Sequence, residues 1–369
     1  MNVANEGNGG LPQLTTIAAS KHIPIVVAFD AVVVRYDENG QPLSLIDIRP
    51  MDLADILDGT IRVYRRNPWV FIVILAVIVG VPIFITQFAN YYIEEAINQA
   101  RTHLLQGTPE GAAEALRAFR ARETVTAAAV IGAVNFIMFF LAPLAQAAMV
   151  HAVTETILGR EVGFVESLRA IREKIGTVVI AYVVYVLIMF AFFSPFLLFV
   201  VMEPLNPQKV GLGVALFLLF PVCFFFLFYF IVKFLFITQA IVLEDVGAVD
   251  ALRRSFRLAS GFWWRTFGIY MIISILVAIV VSLLNLFVYV VDWGLGLLPV
   301  VTEYLSLAIG SFIKTVISLV INPITWIATT LMYFDLRIRK EGFDLVLLAA
   351  SLGGGEGESR DPWEGAPVG

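Results

Sequence analysis

Arginine and tryptophan form the densest group of binding-competent side chains in this sequence, within residues 246–265 (VGAVDALRRSFRLASGFWWR). Guanidinium groups bind phosphate through paired N–H donors, and tryptophan rings favour the boundary between lipid and water. The segment therefore predicts a contact with anionic lipid. The residues considered for it are Arg253, Arg254, Arg257, Trp263, Trp264 and Arg265.

The same segment has the pattern of a helix lying on a membrane surface. At helical spacing, Val249, Leu252 and Phe256 fall on one face, whereas the arginines fall on other faces. A second interpretation stays open, because basic residues beside a membrane span also fix its orientation without binding any specific lipid.

Catalytic chemistry has weaker support. His151 and Glu155 are four residues apart and could share a metal ion, but no third ligand lies near them in the sequence. Cys223 is the single cysteine, which excludes an intramolecular disulfide and a cysteine metal cluster. We expect no catalytic residue, no metal and no other cofactor, and hence a protein that is not an enzyme.

Composition indicates an all-α integral membrane protein. Hydrophobic residues make up 59% of the chain, charged residues only 15%, and the mean hydropathy is +0.85. Runs of about 20 apolar residues are long enough to cross a bilayer. Six are predicted, at about 69–88, 125–150, 177–202, 212–237, 267–291 and 304–334.

Amphipathic basic helices are predicted before the first, third and fifth spans, at residues 51–67, 160–175 and 246–265. Residues 162–169 (VGFVESLR) match residues 246–253 (VGAVDALR), which indicates an internal repeat. The predicted fold is therefore three transmembrane hairpins, each preceded by a cytosolic amphipathic helix.

Lysine and arginine are concentrated on one side of the predicted spans. The loops after the second and fourth spans hold eight of them, and the loops after the third and fifth hold only Lys209. This bias predicts a multi-pass protein of the cell membrane with both termini in the cytoplasm. The eight residues are Arg160, Arg169, Arg172, Lys174, Arg253, Arg254, Arg257 and Arg265.

Four regions are predicted along the chain. Residues 1–20 form a disordered tail, 21–50 a small cytosolic β-hairpin turning at Asn39-Gly40, 51–350 the six-span membrane domain, and 351–369 a disordered acidic tail.

The sequence resembles a family of prokaryotic membrane proteins. The motifs that carry the resemblance are MDLADILDGTIRVYRRNPW, AIVLEDVGAVDALRRSFRLASGFWWRTFGI and NPITWIATTLMYFDLRIRKEGFDLVLL. They are similar to the glycerophosphoryl diester phosphodiesterase membrane domain, a largely uncharacterised family, here without the phosphodiesterase barrel. The resemblance implies the architecture more than an activity.

Three functions are compatible with these observations. The first is a non-enzymatic scaffold or lipid-interacting component that works with partner proteins. Its expected ligands are membrane lipids, anionic lipids among them, and not nucleic acid. The second is a transporter for a small or lipid-like solute, because prolines interrupt five of the six predicted spans. The third is an enzyme acting on phospholipid headgroups, which rests on the resemblance alone.

Overall fold

The computed structural model describes residues 26–29, 32–35, 50–105, 107–160, 162–205, 210–296 and 303–341. From residue 50 onward these ranges are almost entirely helical, as the apolar pattern predicts. The two predicted tails lie outside the described residues. The helices are α1 Leu53–Arg66, α2 Pro68–Leu75, α3 Val81–Leu104, α4 Pro109–Arg120, α5 Arg122–Ile157, α6 Phe164–Ile171, α7 Ile175–Leu205, α8 Val210–Lys233, α9 Ile237–Glu244, α10 Ala248–Ala259, α11 Trp263–Gly296 and α12 Glu303–Glu341.

Six helical stretches in the described ranges are long and apolar enough to cross a membrane, so the chain is a multi-pass membrane protein. The first and fourth combine neighbouring helices, and the third joins α6 to α7. Their bounds are Pro68–Leu104, Arg122–Ile157, Phe164–Ser194, Pro221–Glu244, Trp263–Val291 and Tyr304–Glu341.

The helices pack in neighbouring pairs, α3 on α5, α7 on α8 and α11 on α12, and α12 also contacts α1 and α3. The interpretation of these pairs as three repeated hairpins stays a prediction. Near the N-terminus, β1 (Val26–Phe29) pairs antiparallel with β2 (Val32–Arg35). Both strands lie inside the run predicted as a single strand, so the hairpin turning at Asn39-Gly40 is not confirmed.

One end of the bundle carries α1, α6, α10 and the C-terminal end of α12. Hydrogen bonds connect neighbouring segments there. Arg66 of α1 donates to the Gly159 carbonyl, just after α5, over 3.3 Å, and Lys174, between α6 and α7, donates to the Val242 carbonyl of α9 over 2.9 Å. Lys340, near the end of α12, donates to the Ser260 carbonyl over 2.8 Å. We call this end of the bundle the network face.

The first and fourth spans are interrupted. In the first span a π-helical turn, Ala76–Gly80, separates α2 from α3. Pro82, the second residue of α3, has no N–H and therefore removes one helical hydrogen bond at this turn. In the fourth span the break between α8 and α9 is bridged by Ser255 of α10. Its hydroxyl donates to the Lys233 carbonyl over 2.8 Å and accepts from the Phe236 N–H over 3.1 Å. The backbone carbonyl and N–H that the break leaves without helical partners therefore form hydrogen bonds inside the protein.

α10 ends earlier than the sequence pattern suggests. The predicted helix runs to residue 265, but Gly261 has a φ of +90°, a left-handed conformation that glycine adopts without steric cost. Trp263, Trp264 and Arg265 therefore form the first turn of α11, at the start of the fifth span.

A buried carboxylate fixes the N-terminus of α1 to the last two helices. Asp335 of α12 has no exposed surface and accepts hydrogen bonds from the Met51 N–H at 2.7 Å and from Arg339 Nε at 3.0 Å. It also accepts one from Arg265 of α11. The Met51 carbonyl in turn accepts from Arg265 Nη2 at 2.5 Å and from Arg339 Nη2 at 3.0 Å. Each polar group of this cluster therefore has a partner, as buried charges require.

At the opposite end of the bundle, α3 and α4 approach closely. A Cβ atom added at Gly111 would overlap with the carbonyl oxygen of His103, a backbone atom that cannot rotate away. Glycine is therefore the residue that lets α4 fold back against α3.

We predict that Asp335→Asn strongly destabilises the protein. The substitution removes the negative charge that pairs with both Arg265 and Arg339, and breaking a buried ion pair costs about 3–5 kcal/mol. Thermal unfolding in detergent should show a clearly lower Tm. The control is Asp250→Asn, which removes an exposed pair with Arg253 at 3.4 Å and should cost less than about 1 kcal/mol. Equal Tm values for the two variants would contradict the assignment of Asp335.

We also predict that Gly111→Ala destabilises the α3–α4 pair by about 1–3 kcal/mol, the usual cost of overpacking. Gly132→Ala in α5 is the matched control, because nothing lies within 4 Å of its added Cβ. That control should be neutral or stabilising by about 0.5–1 kcal/mol, since alanine replaces glycine in a helix interior. Tm measurements on both variants check this, and a Gly111→Ala protein as stable as the control would show that α4 is not packed as described.

Candidate functional site

The six residues predicted to contact lipid do not form one surface. Arg254 is mostly buried, with Nε 2.6 Å from Glu244 and Nη2 2.5 Å from Glu341. Burial acts to lower the pKa of Arg254, but its hydrogen bond to Glu244 and the charges of Glu244 and Glu341 outweigh burial and raise the pKa. Arg265 pairs with Asp335, as described above. These two arginines hold helices together.

Arg254 belongs to a cluster that joins α9, α10 and α12. Glu244, at the end of α9, accepts a hydrogen bond from the Tyr333 hydroxyl and lies 3.8 Å from Arg337 Nε. Arg337 Nε also lies 3.1 Å from Glu341. Two carboxylates and two guanidinium groups therefore alternate across three helices, so that each charge faces opposite charges.

The two tryptophans have different environments. Trp263 stacks on Phe267 with ring centroids 5.2 Å apart, and its indole Nε1 donates to the Tyr229 carbonyl over 3.2 Å. Trp264 is 74% exposed at the start of the fifth span. Of the two, Trp264 has the position typical of a tryptophan at a lipid–water boundary.

Arg253 and Arg257 lie on the exposed side of α10. Arg253 is 3.4 Å from Asp250, and both side chains are more than 65% exposed, so this pair is weak. The Arg257 side chain is exposed and has no ion pair or hydrogen bond with any residue that the structure describes. Val249, one turn before Arg253, is also 53% exposed. α10 buries its other side, through Ala251, Leu252, Ser255, Leu258 and Ala259.

The repeat places the same exposed residues on α6. Val165 corresponds to Val249, and its side chain is 52% exposed. Arg169 corresponds to Arg253, and after a one-residue gap Arg172, in the turn that follows α6, corresponds to Arg257. Arg169 and Arg172 are both exposed and lack ion pairs within the described part of the chain. The ion-paired Arg254 corresponds instead to Ala170. The two copies therefore share the exposed Val-Arg-Arg set, and the interhelical ion pair is specific to α10.

Arg169 and Arg172 are absent from the set of six predicted from the sequence. The internal repeat is the signal that could have identified them, since it aligns both with the arginines of α10. No local pattern identifies Asp335 and Glu341 as partners of Arg265 and Arg254, because they are 70 and 87 residues distant in sequence.

The side chains of His151 and Glu155 have different environments in the structure. The Glu155 carboxylate pairs with Arg160 Nη1 at 3.0 Å, which closes the end of α5. The His151 Nδ1 is buried and has no hydrogen-bond partner among the described residues. Across those residues, no three histidine, cysteine, aspartate or glutamate side chains form a group that could hold a metal ion.

A small polar cluster lies between the second, third and fourth spans. The Tyr182 hydroxyl donates to Gln146 Oε1 over 2.6 Å and lies 3.1 Å from the Thr238 hydroxyl, which is itself 3.2 Å from Gln146. The adjacent Gln239 is fully buried, and neither of its amide atoms has a hydrogen-bond partner in the described residues. An unpaired buried amide is unusual, because its desolvation is not compensated.

Comparison with known proteins identifies one related family. No curated protein and no solved structure matches the chain. A family model described as a domain of unknown function, DUF7847, matches residues 51–336, from the backbone-bound Met51 to the residue after Asp335. The match does not confirm the resemblance to the glycerophosphoryl diester phosphodiesterase membrane domain. The matched region covers more than three quarters of the sequence, with five of the six apolar stretches entirely and the sixth as far as residue 336, and the chain therefore belongs to the DUF7847 family.

Proposed function

We propose that this protein is a non-enzymatic membrane component that binds anionic lipid at its network face and acts as a scaffold for partner proteins. The observation that carries the proposal is the exposed Val-Arg-Arg set on both α6 and α10. Exposed arginines without strong protein partners are available to lipid phosphates, and each basic residue near an anionic surface contributes about 1 kcal/mol.

The apolar member of each set supports a lipid over a dissolved anion. Val165 and Val249 are each four residues before an arginine, so the valine and the arginine lie on the same helical face. An amphipathic helix in a membrane interface places such apolar side chains at the acyl boundary and its basic side chains at the headgroups. Trp264, exposed in the first turn of α11, has the same preference for the interface.

The scaffold role is supported by the ion pairs that hold the network face together. The Glu244 cluster and the Asp335 cluster connect α1, α9, α10, α11 and α12. Such a connected end can present the exposed face of α10 in a fixed orientation. The hydrogen bond from Lys174 to the Val242 carbonyl attaches the turn after α6 to α9, a member of the same connected end. The charge bias of the loops predicts that this face lies on the cytoplasmic side, where anionic lipids and cytosolic partners are available.

A second candidate is a pathway for a small or lipid-like solute. The observation in its favour is the fully buried Gln239 amide beside the Gln146–Tyr182–Thr238 cluster and the break between α8 and α9. Interrupted helices with polar groups at membrane depth often line solute sites in transporters. A solute that binds there should raise the Tm of the purified protein, and Gln239→Leu should abolish that increase.

The lipid proposal predicts a selective effect of Arg253→Gln combined with Arg257→Gln. Loss of two exposed charges at about 1 kcal/mol each should strip anionic lipid from the purified protein and leave its Tm within a few degrees of wild type. Native mass spectrometry of co-purified lipids measures the loss. The matched control is Arg117→Gln with Arg120→Gln, two exposed arginines of α4 at the other end of the bundle. Equal retention of anionic lipid by both double variants would refute lipid binding by α10.

The orientation predicts the location of three reporter fusions. Fusions after Asn206 and after Trp293 should report the outside, and a fusion after Ser260 should report the cytoplasm, because the arginine-rich loops remain inside. Alkaline phosphatase and fluorescent protein fusions provide complementary readouts. An external signal at Ser260 would place the network face outside and remove the basis for contact with cytoplasmic lipid headgroups.

A further inference from the structure

A groove of about 450 Å³ opens between α6 and the first two spans. Ile78 of the π-helical turn and Leu144 of α5 form one wall, and Val165, Leu168 and Ile171 of α6 form the other, with Ile175 at the start of α7. Its size falls within the range of about 300–1,000 Å³ that is usual for small-molecule sites. The wall residues are all aliphatic, so the groove suits a hydrocarbon chain.

Two arginines stand at the edge of this apolar groove. Arg169 and Arg172 belong to its lining, and both side chains are exposed. They are three residues apart, a spacing that brings side chains onto the same helical face about 5–6 Å apart at Cβ. Neither makes an ion pair or a hydrogen bond with a residue in the described ranges. Two guanidinium groups at this separation can bind the oxygens of one phosphate.

The neighbouring charges leave this edge positive. Lys174 is directed elsewhere, to the Val242 carbonyl and to Asp245 at 3.0 Å. Glu166 and Glu173 are exposed on the same segment, but neither lines the groove. Within the lining itself, the two arginines are the only charged residues. A headgroup with a net negative charge therefore complements the groove edge, whereas the choline of a zwitterionic phospholipid would bring a further positive charge beside the two arginines.

We propose that this groove is a binding site for an anionic diacyl phospholipid, with an acyl chain along the aliphatic walls and the phosphate between Arg169 and Arg172. The ligand class rests on the proposed function, but the site is separate from the α10 surface. Headgroup and chain are bound together, because a phosphate alone would leave the aliphatic walls unfilled. α6 thus binds a specific lipid, whereas α10 presents a more open basic surface.

Photo-crosslinking tests this site in the full-length protein. The probes are phosphatidylglycerol and phosphatidylcholine that carry the same photoreactive acyl chain, each present in nanodiscs of matched composition. Mass spectrometry maps the labelled residues. In wild type, phosphatidylglycerol should label residues 165–175 and the region of Leu144 in preference to phosphatidylcholine. An excess of inorganic phosphate should leave this labelling unchanged, which separates a bound lipid from a free anion.

A double arginine substitution and a substitution that blocks the groove test the contacts. Arg169→Gln with Arg172→Gln should lower the phosphatidylglycerol preference at the groove about thirty-fold, the effect of two basic residues at an anionic surface. Ile175→Trp, at a position that is 39% exposed, should block the groove and reduce labelling by both lipids. Its control is Ile180→Trp, at a position 56% exposed on α7 and outside the groove lining, which should have no effect.

The outcomes separate this inference from the proposed function. Equal labelling by the two lipids, labelling spread evenly over all spans, or a preference unchanged by the Arg169 and Arg172 substitutions would each refute the groove site. If the groove result is negative but Arg253→Gln with Arg257→Gln still strips anionic lipid, the proposed function stands without this site. If labelling follows Arg169 and Arg172 while the α10 variant retains all its lipid, the groove is a lipid site and the α10 surface is not.

Discussion

The network face depends on the compensation of buried charge around Asp335. Helices in a membrane gain little from hydrophobic association, because lipid chains are as apolar as the residues that they contact. Specific polar contacts therefore decide how helix ends meet, and here one carboxylate binds Arg265, Arg339 and the backbone of Met51 together. Because Met51 is held through its N–H and its carbonyl, the start of α1 is fixed by backbone geometry. The family match begins at Met51 and ends one residue after Asp335, so it spans both halves of this contact.

Charge compensation also divides the basic residues into two groups with different consequences. Arg254 and Arg265 have carboxylate partners on other helices, and their charges are therefore neutralised within the protein. Arg169, Arg172 and Arg257 keep their charges at the surface. All five contribute to the charge bias from which the orientation is predicted, because that bias depends on the number of positive charges beside each span. Only the second group remains available to a ligand, so the predicted orientation rests on all five charges and the proposed lipid binding on those that stay exposed.

The positions of the spans could be predicted from the sequence, because twenty apolar residues cross a bilayer whatever their neighbours are. The division between paired and exposed arginines could not, since it depends on contacts such as Arg265 with Asp335 that join residues 70 positions apart. The buried side of α10 was also only partly predicted. Leu252 is buried as expected, but Val249 is half exposed, because the core takes Ser255 and Leu258 on the adjacent face. Hydrophobicity alone does not separate a face directed at protein from one directed at lipid.

Ser255 explains why α10 takes this unexpected orientation. The break between α8 and α9 leaves the Lys233 carbonyl and the Phe236 N–H without helical partners, and an unpaired backbone group in an apolar region is strongly unfavourable. A hydroxyl can donate to one and accept from the other, so a buried serine at this position satisfies both. Once Ser255 faces the break, helical geometry directs Val249, Arg253 and Arg257 away from the bundle. The interruption in the fourth span and the exposed basic surface of α10 therefore have a common physical origin, and a lipid bound to that surface contacts the helix that holds the interruption in place.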